Sequence, residues 1–227
     1  MRSSPQAPPR QGPRTELKVL LDADAAAILL ARCSEQLQPD SHAADPELGV
    51  YQVDSVYFDT PALLACGDDD FPKYRSRRYD RAEPSTHFEE KYSHSPKVWK
   101  RRVACSAAEI DALSTTSSDL PGGLLWFQGR VRQLELTPQL AVAYRRHAFH
   151  DGNGTRITFD DRIHVAATNG GTDYSASNGG TLLNDQTVLE LKFTGDEPAL
   201  VTEILASVPD PAPFSKYRTG MRLLERI

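Results

Sequence analysis

The chain has 227 residues, and its 39% hydrophobic and 25% charged residues are typical of a globular protein with a packed core. The formal net charge of −5 argues against a general nucleic-acid-binding protein. No apolar segment approaches the roughly 20 residues of a transmembrane helix, so we expect no membrane insertion. Cys33, Cys66 and Cys105 form no CxxC motif, which favours free thiols in a reducing compartment, the cytoplasm.

Hydrophobic periodicity and turn residues predict an α+β chain of roughly eight antiparallel strands with helices between and after them. Residues 1–13 are rich in proline and predict a disordered tail, followed by one domain over residues 14–227. In chain order, the predicted elements are a strand at 15–21, a helix at 22–38, strands at 49–60, 71–80, 86–93 and 97–106, helices at 106–114 and 124–136, strands at 139–151, 155–166 and 187–193, and helices at 197–208 and 215–227. Residues 168–187 are mostly small and polar and predict a flexible loop.

Capping residues mark where several of these helices begin. Asp22 or Asp24 can cap the first helix, because a carboxylate oxygen can accept a hydrogen bond from a free backbone N–H group. Ser106 and Glu109 have the spacing of a capping box. Ser215 can cap the last helix, whose N-terminus then offers N–H donors to an anion.

The stretch FPKYRSRRYD at 71–80 places cations at alternate positions. Lys73, Arg75 and Arg77 share one strand face with Tyr79, because side chains alternate between the two faces of a strand. Like charges about 7 Å apart repel one another, so the pattern predicts an anionic ligand among them. For a single strand, the alternative is an ordinary charged face exposed to solvent.

Several other strands repeat this alternation, with apolar residues on the opposite face. Their charged or polar faces carry Glu16 and Lys18, Glu89 and Lys91, Lys100 and Arg102, Tyr144 and Arg146, Arg156 and Asp160, and Glu190 and Lys192. So many cationic faces favour a barrel with a charged interior, whose apolar outer faces are covered by the helices. Because arginine grips phosphate bidentately and glutamate can hold a divalent cation, the favoured ligand class is polyphosphate.

Nine short segments occur in a recognisable order: ELKVLL, YQVDSVYFDT, KYRSRRY, FEEK, KRR, LAVAYRRHAF, RITFD, VLELKF and FSKYRTGM. Together they resemble the VTC domain, the catalytic domain of the vacuolar transporter chaperone polyphosphate polymerase and a branch of the triphosphate tunnel metalloenzymes. The resemblance covers about residues 14–227. It implies an eight-stranded antiparallel tunnel barrel that transfers the γ-phosphate of ATP to a polyphosphate chain with Mn²⁺ or Mg²⁺. In one departure from the wider superfamily pattern Glu-x-Glu-x-Lys, Arg14 replaces the first glutamate and leaves fewer carboxylates for metal.

The resemblance also implies roles for individual residues. The implied phosphate ligands are Lys18, Arg75, Arg77, Lys91, Lys100, Arg146, Arg156 and Lys216, and the alternating faces add Lys73, Arg102 and Lys192. Arg75, Arg77, Arg146 and Arg156 are expected to hold the β- and γ-phosphates. Glu190 is the implied main metal ligand, with Glu16 or Glu89 beside it. The residues given catalytic roles are Arg75, Arg77, Lys216 and Glu190.

The expected partners are ATP, triphosphate or polyphosphate, and three functions stay open. A phosphate acceptor would make the protein a polymerase, and water would make it a triphosphate or polyphosphate hydrolase. The third function is a non-catalytic module that binds polyphosphate or inositol polyphosphate. Glu16 and Glu190 favour an enzyme, because a pure anion binder gains nothing from metal-binding carboxylates. Eukaryotic polymerases of this type carry membrane helices and a partner domain, which this sequence lacks, and any membrane-protein partner is unknown.

Overall fold

The computed structural model describes residues 6–40, 49–79, 86–113, 120–168, 170–172, 174 and 179–225. The strands in this part of the chain are β1 Gln11–Leu21, β2 Gln38–Pro39, β3 Val50–Asp59, β4 Lys73–Tyr79, β5 Thr86–His94, β6 Lys97–Cys105, β7 Thr137–His150, β8 Arg156–Ala167, β9 Gly180–Leu182 and β10 Thr187–Phe193. The helices are α1 Ala23–Gln36, α2 Leu64–Gly67, α3 Ala107–Ala112, α4 Gly122–Gln133, α5 Ala199–Leu205 and α6 Lys216–Leu223.

Eight antiparallel strands close into a barrel. Their order is β7-β3-β4-β5-β6-β1-β10-β8, and pairing of β7 with β8 completes the ring. The short strands β2 and β9 extend the outside of β7 and β8. The predicted eight-stranded α+β barrel is therefore confirmed.

The apolar faces of the strands point outwards and are covered by helices. On β10, Leu189 and Leu191 are fully buried in a cluster that includes Leu29 of α1 and Ile204 of α5. A second cluster joins Phe88 of β5 to residues of α3 and α4. Burial of such side chains contributes about 1.5–3 kcal/mol each, so the core lies between the barrel and its helices. The charged faces of the strands line the barrel interior.

Helix caps form where the sequence predicts them. The Asp22 carboxylate accepts a hydrogen bond from the backbone N–H of Ala25 at 2.8 Å, at the start of α1. Ser106 and Glu109 form the reciprocal capping box of α3. The Ser215 hydroxyl caps α6, where Lys216 is the first helical residue.

Two of the boundaries that differ from the prediction do so because pairing with distant strands overrides local sequence. Strand β1 begins at Gln11, within the predicted tail 1–13, since Gln11 pairs with Lys100 of β6. Strand β9 lies within the predicted loop 168–187, where it pairs with β8. Residues 1–5 and parts of that loop lie outside the described residues. No helix in the described ranges is both long and apolar enough to cross a membrane.

The two ends of the barrel have different coverings. At the end where β3 finishes, Tyr217 of α6 stacks on Tyr57 with a centroid distance of 5.0 Å, and its hydroxyl donates to Asp59 at 2.9 Å. We call this the α6 end. At the opposite end, where β3 and β8 begin, the backbone N–H of Asp40 donates to the carbonyl of Ala148 at 2.9 Å. We call this the Asp40 end.

Candidate active site

The barrel encloses a cavity of about 840 Å³. All eleven predicted phosphate ligands line it: Lys18, Lys73, Arg75, Arg77, Lys91, Lys100, Arg102, Arg146, Arg156, Lys192 and Lys216. In total, fifteen lysines and arginines line the cavity against five aspartates and glutamates. The alternation of the strands therefore places the predicted residues in one lumen, while their roles stay predictions.

The position of Arg78 shows which face of β4 points into the lumen. Its guanidinium lies outside the lumen, where it donates to Asp54 at 3.1 Å and lies 4.6 Å from the ring centre of Tyr174. Its neighbour Arg77 lines the cavity. The predicted inward and outward positions of these two arginines are confirmed.

Asp160 organises two cations from different elements. Arg146 of β7 grips its carboxylate through two hydrogen bonds of 2.6 Å, and the ammonium of Lys216 donates to the same group at 2.6 Å. Burial alone would raise the pKa of Asp160, but Arg146 and Lys216 outweigh it and lower the pKa. The carboxylate thus stays ionised and fixes both cations beside the cavity.

Glu190 lies next to this cluster on β10. Its carboxylate pairs with Lys192 and lies 3.8 Å from the Lys216 ammonium and 3.5 Å from Arg146. Burial opposes ionisation, but Lys192 and then Lys216 hold the pKa of Glu190 well below its usual value. Glu190 is therefore a charged carboxylate that lines the lumen.

Glu89 has a different setting from Glu190. It is fully buried, and its carboxylate accepts from Arg75 at 2.8 Å and lies 3.5 Å from the Lys100 ammonium. Glu89 does not line the cavity, whereas Arg75 and Lys100 do. Burial would raise the pKa of Glu89, but Arg75 and Arg77 reverse the effect and lower it. In this arrangement Glu89 orients Arg75 from behind.

Arg77 is a buried cation with mostly neutral neighbours. Its Nε donates to the Ser55 hydroxyl at 3.0 Å, and its guanidinium lies 5.9 Å from the ring centres of Tyr79 and Tyr144. Among the described residues, no carboxylate lies within ion-pair distance of Arg77. Because Arg77 makes no direct ion pair with a carboxylate of the described residues, it is well placed to meet an anion in the lumen.

Tyr144 supports three lumen cations at once. The Lys216 ammonium lies 4.7 Å from its ring centre, and the Arg146 and Arg77 guanidinium carbons lie 5.2 and 5.9 Å away. The negative face of an aromatic ring stabilises such cations without adding a formal charge. Tyr144 therefore helps to hold three cations together.

Lys18 connects β1 to the segment before α6. Its ammonium donates to the carbonyl of Phe214 at 2.6 Å, and its own carbonyl accepts from the N–H of Ala212 at 2.9 Å. Residues 211–215 line the cavity beside it. Burial, with added repulsion from Lys91, lowers the pKa of Lys18 to about 8.

Both oxygens of Glu16 are held by cations. One accepts from Arg14 at 2.7 Å and the other from Lys91 at 2.6 Å. Burial raises the pKa of Glu16, but Lys91 and Lys192 outweigh it and lower the pKa well below its usual value. Arg14, which departs from the superfamily pattern, thus neutralises the carboxylate two residues away.

Sequence reasoning missed Asp40. Its carboxylate accepts from Nε of Arg156 at 2.8 Å and also pairs with Nη2, which donates to the Tyr51 hydroxyl at 2.7 Å. Asp40 lies outside the eight barrel strands, so strand alternation gave no signal for it. The cations Arg14, Lys97, Arg218 and Arg222 also line the lumen without having been predicted as ligands.

Two lumen carboxylates are of the kind that a divalent metal ion can use. In the described residues, no group of three or more His, Cys, Asp or Glu side chains could hold a metal ion. Glu190 and Glu16 are ionised carboxylates on the neighbouring strands β10 and β1. Mg²⁺ commonly uses one or two carboxylates together with substrate phosphates and water. Two carboxylates in a cationic lumen match that pattern.

Known structures share this fold. The protein bh2851 of Bacillus halodurans, a candidate adenylate cyclase, is 18% identical, with 91% of this chain and 95% of that chain covered and a TM-score of 0.57. HpAC1 of Hippeastrum, a candidate adenylyl cyclase with a dominant triphosphatase activity, is 16% identical, with 92% and 94% covered and a TM-score of 0.53. The PH1819 protein of Pyrococcus horikoshii OT3 is 13% identical, with 94% and 99% covered and a TM-score of 0.51. At these identities the similarity concerns the fold.

Sequence comparison identifies the family. No protein of curated function matches this sequence significantly. The VTC domain family model matches residues 13–225, which is nearly the whole chain and includes all eight strands of the barrel except the first two residues of β1. The chain therefore belongs to the VTC domain family.

Proposed function

We propose that this protein transfers the γ-phosphate of ATP to a polyphosphate chain inside its cationic tunnel. The observation that carries the proposal is the lumen itself, with fifteen cations against five carboxylates around one cavity of about 840 Å³. Such an excess of positive charge around one cavity is costly unless an anion of high charge density occupies the site. ATP and polyphosphate have that charge and a linear shape.

Arg75, Arg77 and Arg146 form the proposed clamp for the transferred phosphate. Glu89 orients Arg75, and Asp160 orients Arg146 together with Lys216. Phosphoryl transfer depends mainly on positioning and charge neutralisation, so pre-oriented guanidinium groups supply much of what the reaction requires. In the transfer, the bond from the γ-phosphorus to the ADP oxygen breaks, and a bond to the acceptor phosphate oxygen forms.

Glu190 and Glu16 are the proposed ligands of a divalent cation, Mn²⁺ or Mg²⁺. When bound, such an ion neutralises charge on the phosphate oxygens. Glu89 is a weaker candidate, because its carboxylate lies behind Arg75 and Lys100 and does not line the cavity. Lys18, Lys91 and Lys100 would bind the remaining phosphates of the nucleotide or the acceptor chain as point charges.

The decisive experiment incubates the protein with ATP and Mn²⁺ and follows both chain formation by gel electrophoresis and release of free phosphate. Long chains are the expected product. Phosphate release without chains would replace the proposal with a hydrolase. Tight binding of polyphosphate chains without either product would identify the protein as a binding module.

Glu190→Gln tests the carboxylate assigned to the metal. We expect turnover to fall by at least about a hundredfold, which is typical when a group that stabilises developing charge is lost. Affinity for tripolyphosphate without metal should be kept or raised, because a negative charge leaves the lumen. The matched control is Glu203→Gln, which removes the partner of Arg32 outside the cavity. Unchanged turnover in Glu190→Gln would contradict the metal role.

A further inference from the structure

Asp40 is a buried carboxylate that reaches the tunnel from outside the barrel strands. It follows β2, which pairs with the last residues of β7, and its own N–H donates to the carbonyl of Ala148. The N–H of Ala148 in turn donates to the carbonyl of Gly49, so the chain approaches Ala148 from both sides. Asp40 is 8% exposed and lines the cavity. Its position is thus fixed by backbone hydrogen bonds, which a change of side chain leaves intact.

The Asp40 carboxylate forms an ion pair with Arg156, the cation at the Asp40 end of the tunnel. Arg156 directs both Nε and Nη2 at Asp40, while Nη2 also donates to Tyr51. Along β8, Arg156 lies four residues before Asp160, a separation of about 13 Å in a strand. Asp160 is where Arg146 and Lys216 converge. The lumen therefore has a central cation cluster and, farther along, an arginine whose charge is neutralised by Asp40.

We propose that Asp40 limits the length of phosphate chain that the tunnel accommodates, an inference that rests on the proposed function. In this proposal a triphosphate is held at the central cluster and stops short of Asp40, so Arg156, which the resemblance assigned to the β- and γ-phosphates, contacts only longer chains. A longer chain that extends towards Arg156 meets the Asp40 carboxylate and competes with it for the arginine. Like charges at such a partly enclosed site repel strongly, so Asp40 weakens the binding of long chains selectively.

The test compares two ligands, tripolyphosphate and long-chain polyphosphate, by titration calorimetry without divalent metal, so that no turnover occurs. For Asp40→Asn we expect the affinity for the long chain to rise about tenfold, while the affinity for tripolyphosphate changes by less than about twofold. Asp40→Ala should shift the two affinities in the same way. Melting temperatures verify that each variant is folded.

Asp161→Asn is the matched control, because it removes the same charge from a carboxylate that pairs with Arg145 on the outside of the barrel at 2.8 Å. It should leave both affinities unchanged. Equal shifts in Asp40→Asn and Asp161→Asn would overturn the inference, as would equal tightening of both ligands or weaker binding in Asp40→Asn. If the wild-type protein bound neither ligand, the proposed function itself would fail, a result that differs from all of these.

Discussion

The binding of polyphosphate should weaken as the pH rises above 8, because Lys18 then loses its proton. Burial, with added repulsion from Lys91, lowers the pKa of Lys18 to about 8 in the ligand-free protein. A phosphate beside the ammonium favours the charged form and raises the pKa again. At any pH between the pKa of about 8 in the free protein and the higher pKa in the complex, Lys18 must therefore take up a proton when the ligand binds.

The size of the effect follows from proton linkage. Between a free pKa of about 8 and a bound pKa near the usual value for lysine, affinity falls about tenfold for each pH unit. By pH 10 the loss amounts to about a hundredfold relative to pH 7. Below pH 7 Lys18 is charged in both states and contributes no pH dependence.

Lys18→Arg isolates this proton in a titration of tripolyphosphate from pH 6 to 10. The guanidinium stays charged over the whole range, so the variant lacks the contribution of Lys18. Tyr57 also ionises in this range, because Arg75 and Arg77 outweigh its burial and lower its pKa to about 8. Its contribution, like the ionisation of the ligand, is common to both proteins. The ratio of the wild-type to the variant affinity therefore reports Lys18.

We expect this ratio to fall about tenfold per pH unit above pH 8 and to be flat below pH 7. A ratio that is constant across the range would refute the reasoning. It would mean either that Lys18 keeps its charge at high pH in the free protein or that its ammonium stays on the Phe214 carbonyl and does not meet the ligand.

Two further comparisons test the lumen wall. Arg77→Ala should weaken tripolyphosphate binding by about 1.5–3 kcal/mol, the usual value of a charge-assisted hydrogen bond. Arg78→Ala should change the binding little, because its guanidinium lies outside the lumen. Equal losses of affinity in the two variants, measured by calorimetry, would show that the register of β4 is wrong. Glu89→Gln should lower the free energy of unfolding in urea by about 3–5 kcal/mol, because it removes the fully buried charge that pairs with Arg75. The exposed control Glu203→Gln should cost less than about 1 kcal/mol, and a similar small loss in Glu89→Gln would contradict the buried-pair argument.

Strand alternation explains why most of the lumen could be predicted. A strand has a fixed period of two, so Arg75 and Arg77 must share a face once β4 is recognised. The apolar opposite faces, such as Leu189 and Leu191, then indicate which side meets the helices. This reasoning requires no knowledge of how the strands are ordered.

The same reasoning fails where a side chain's role depends on depth or on distant pairing. Glu89 is on the inward face as predicted, but it lies beneath Arg75 rather than at the cavity surface, which the period of a strand does not specify. Asp40 reaches the lumen only because β2 pairs with the end of β7. Strand β1 extends back to Gln11 because β6 offers a partner, although the local sequence is rich in proline.

The hydrogen bond between Lys18 and Phe214 joins residues 196 positions apart. During translation, β4 with its arginines therefore leaves the ribosome long before the segment that encloses them. Contacts of such large sequence separation also form slowly after synthesis, because a long loop must close before they form. A nascent chain thus presents separate cationic strands rather than an enclosed tunnel. If the proposed function holds, polyphosphate meets the complete binding site only when translation has passed α6.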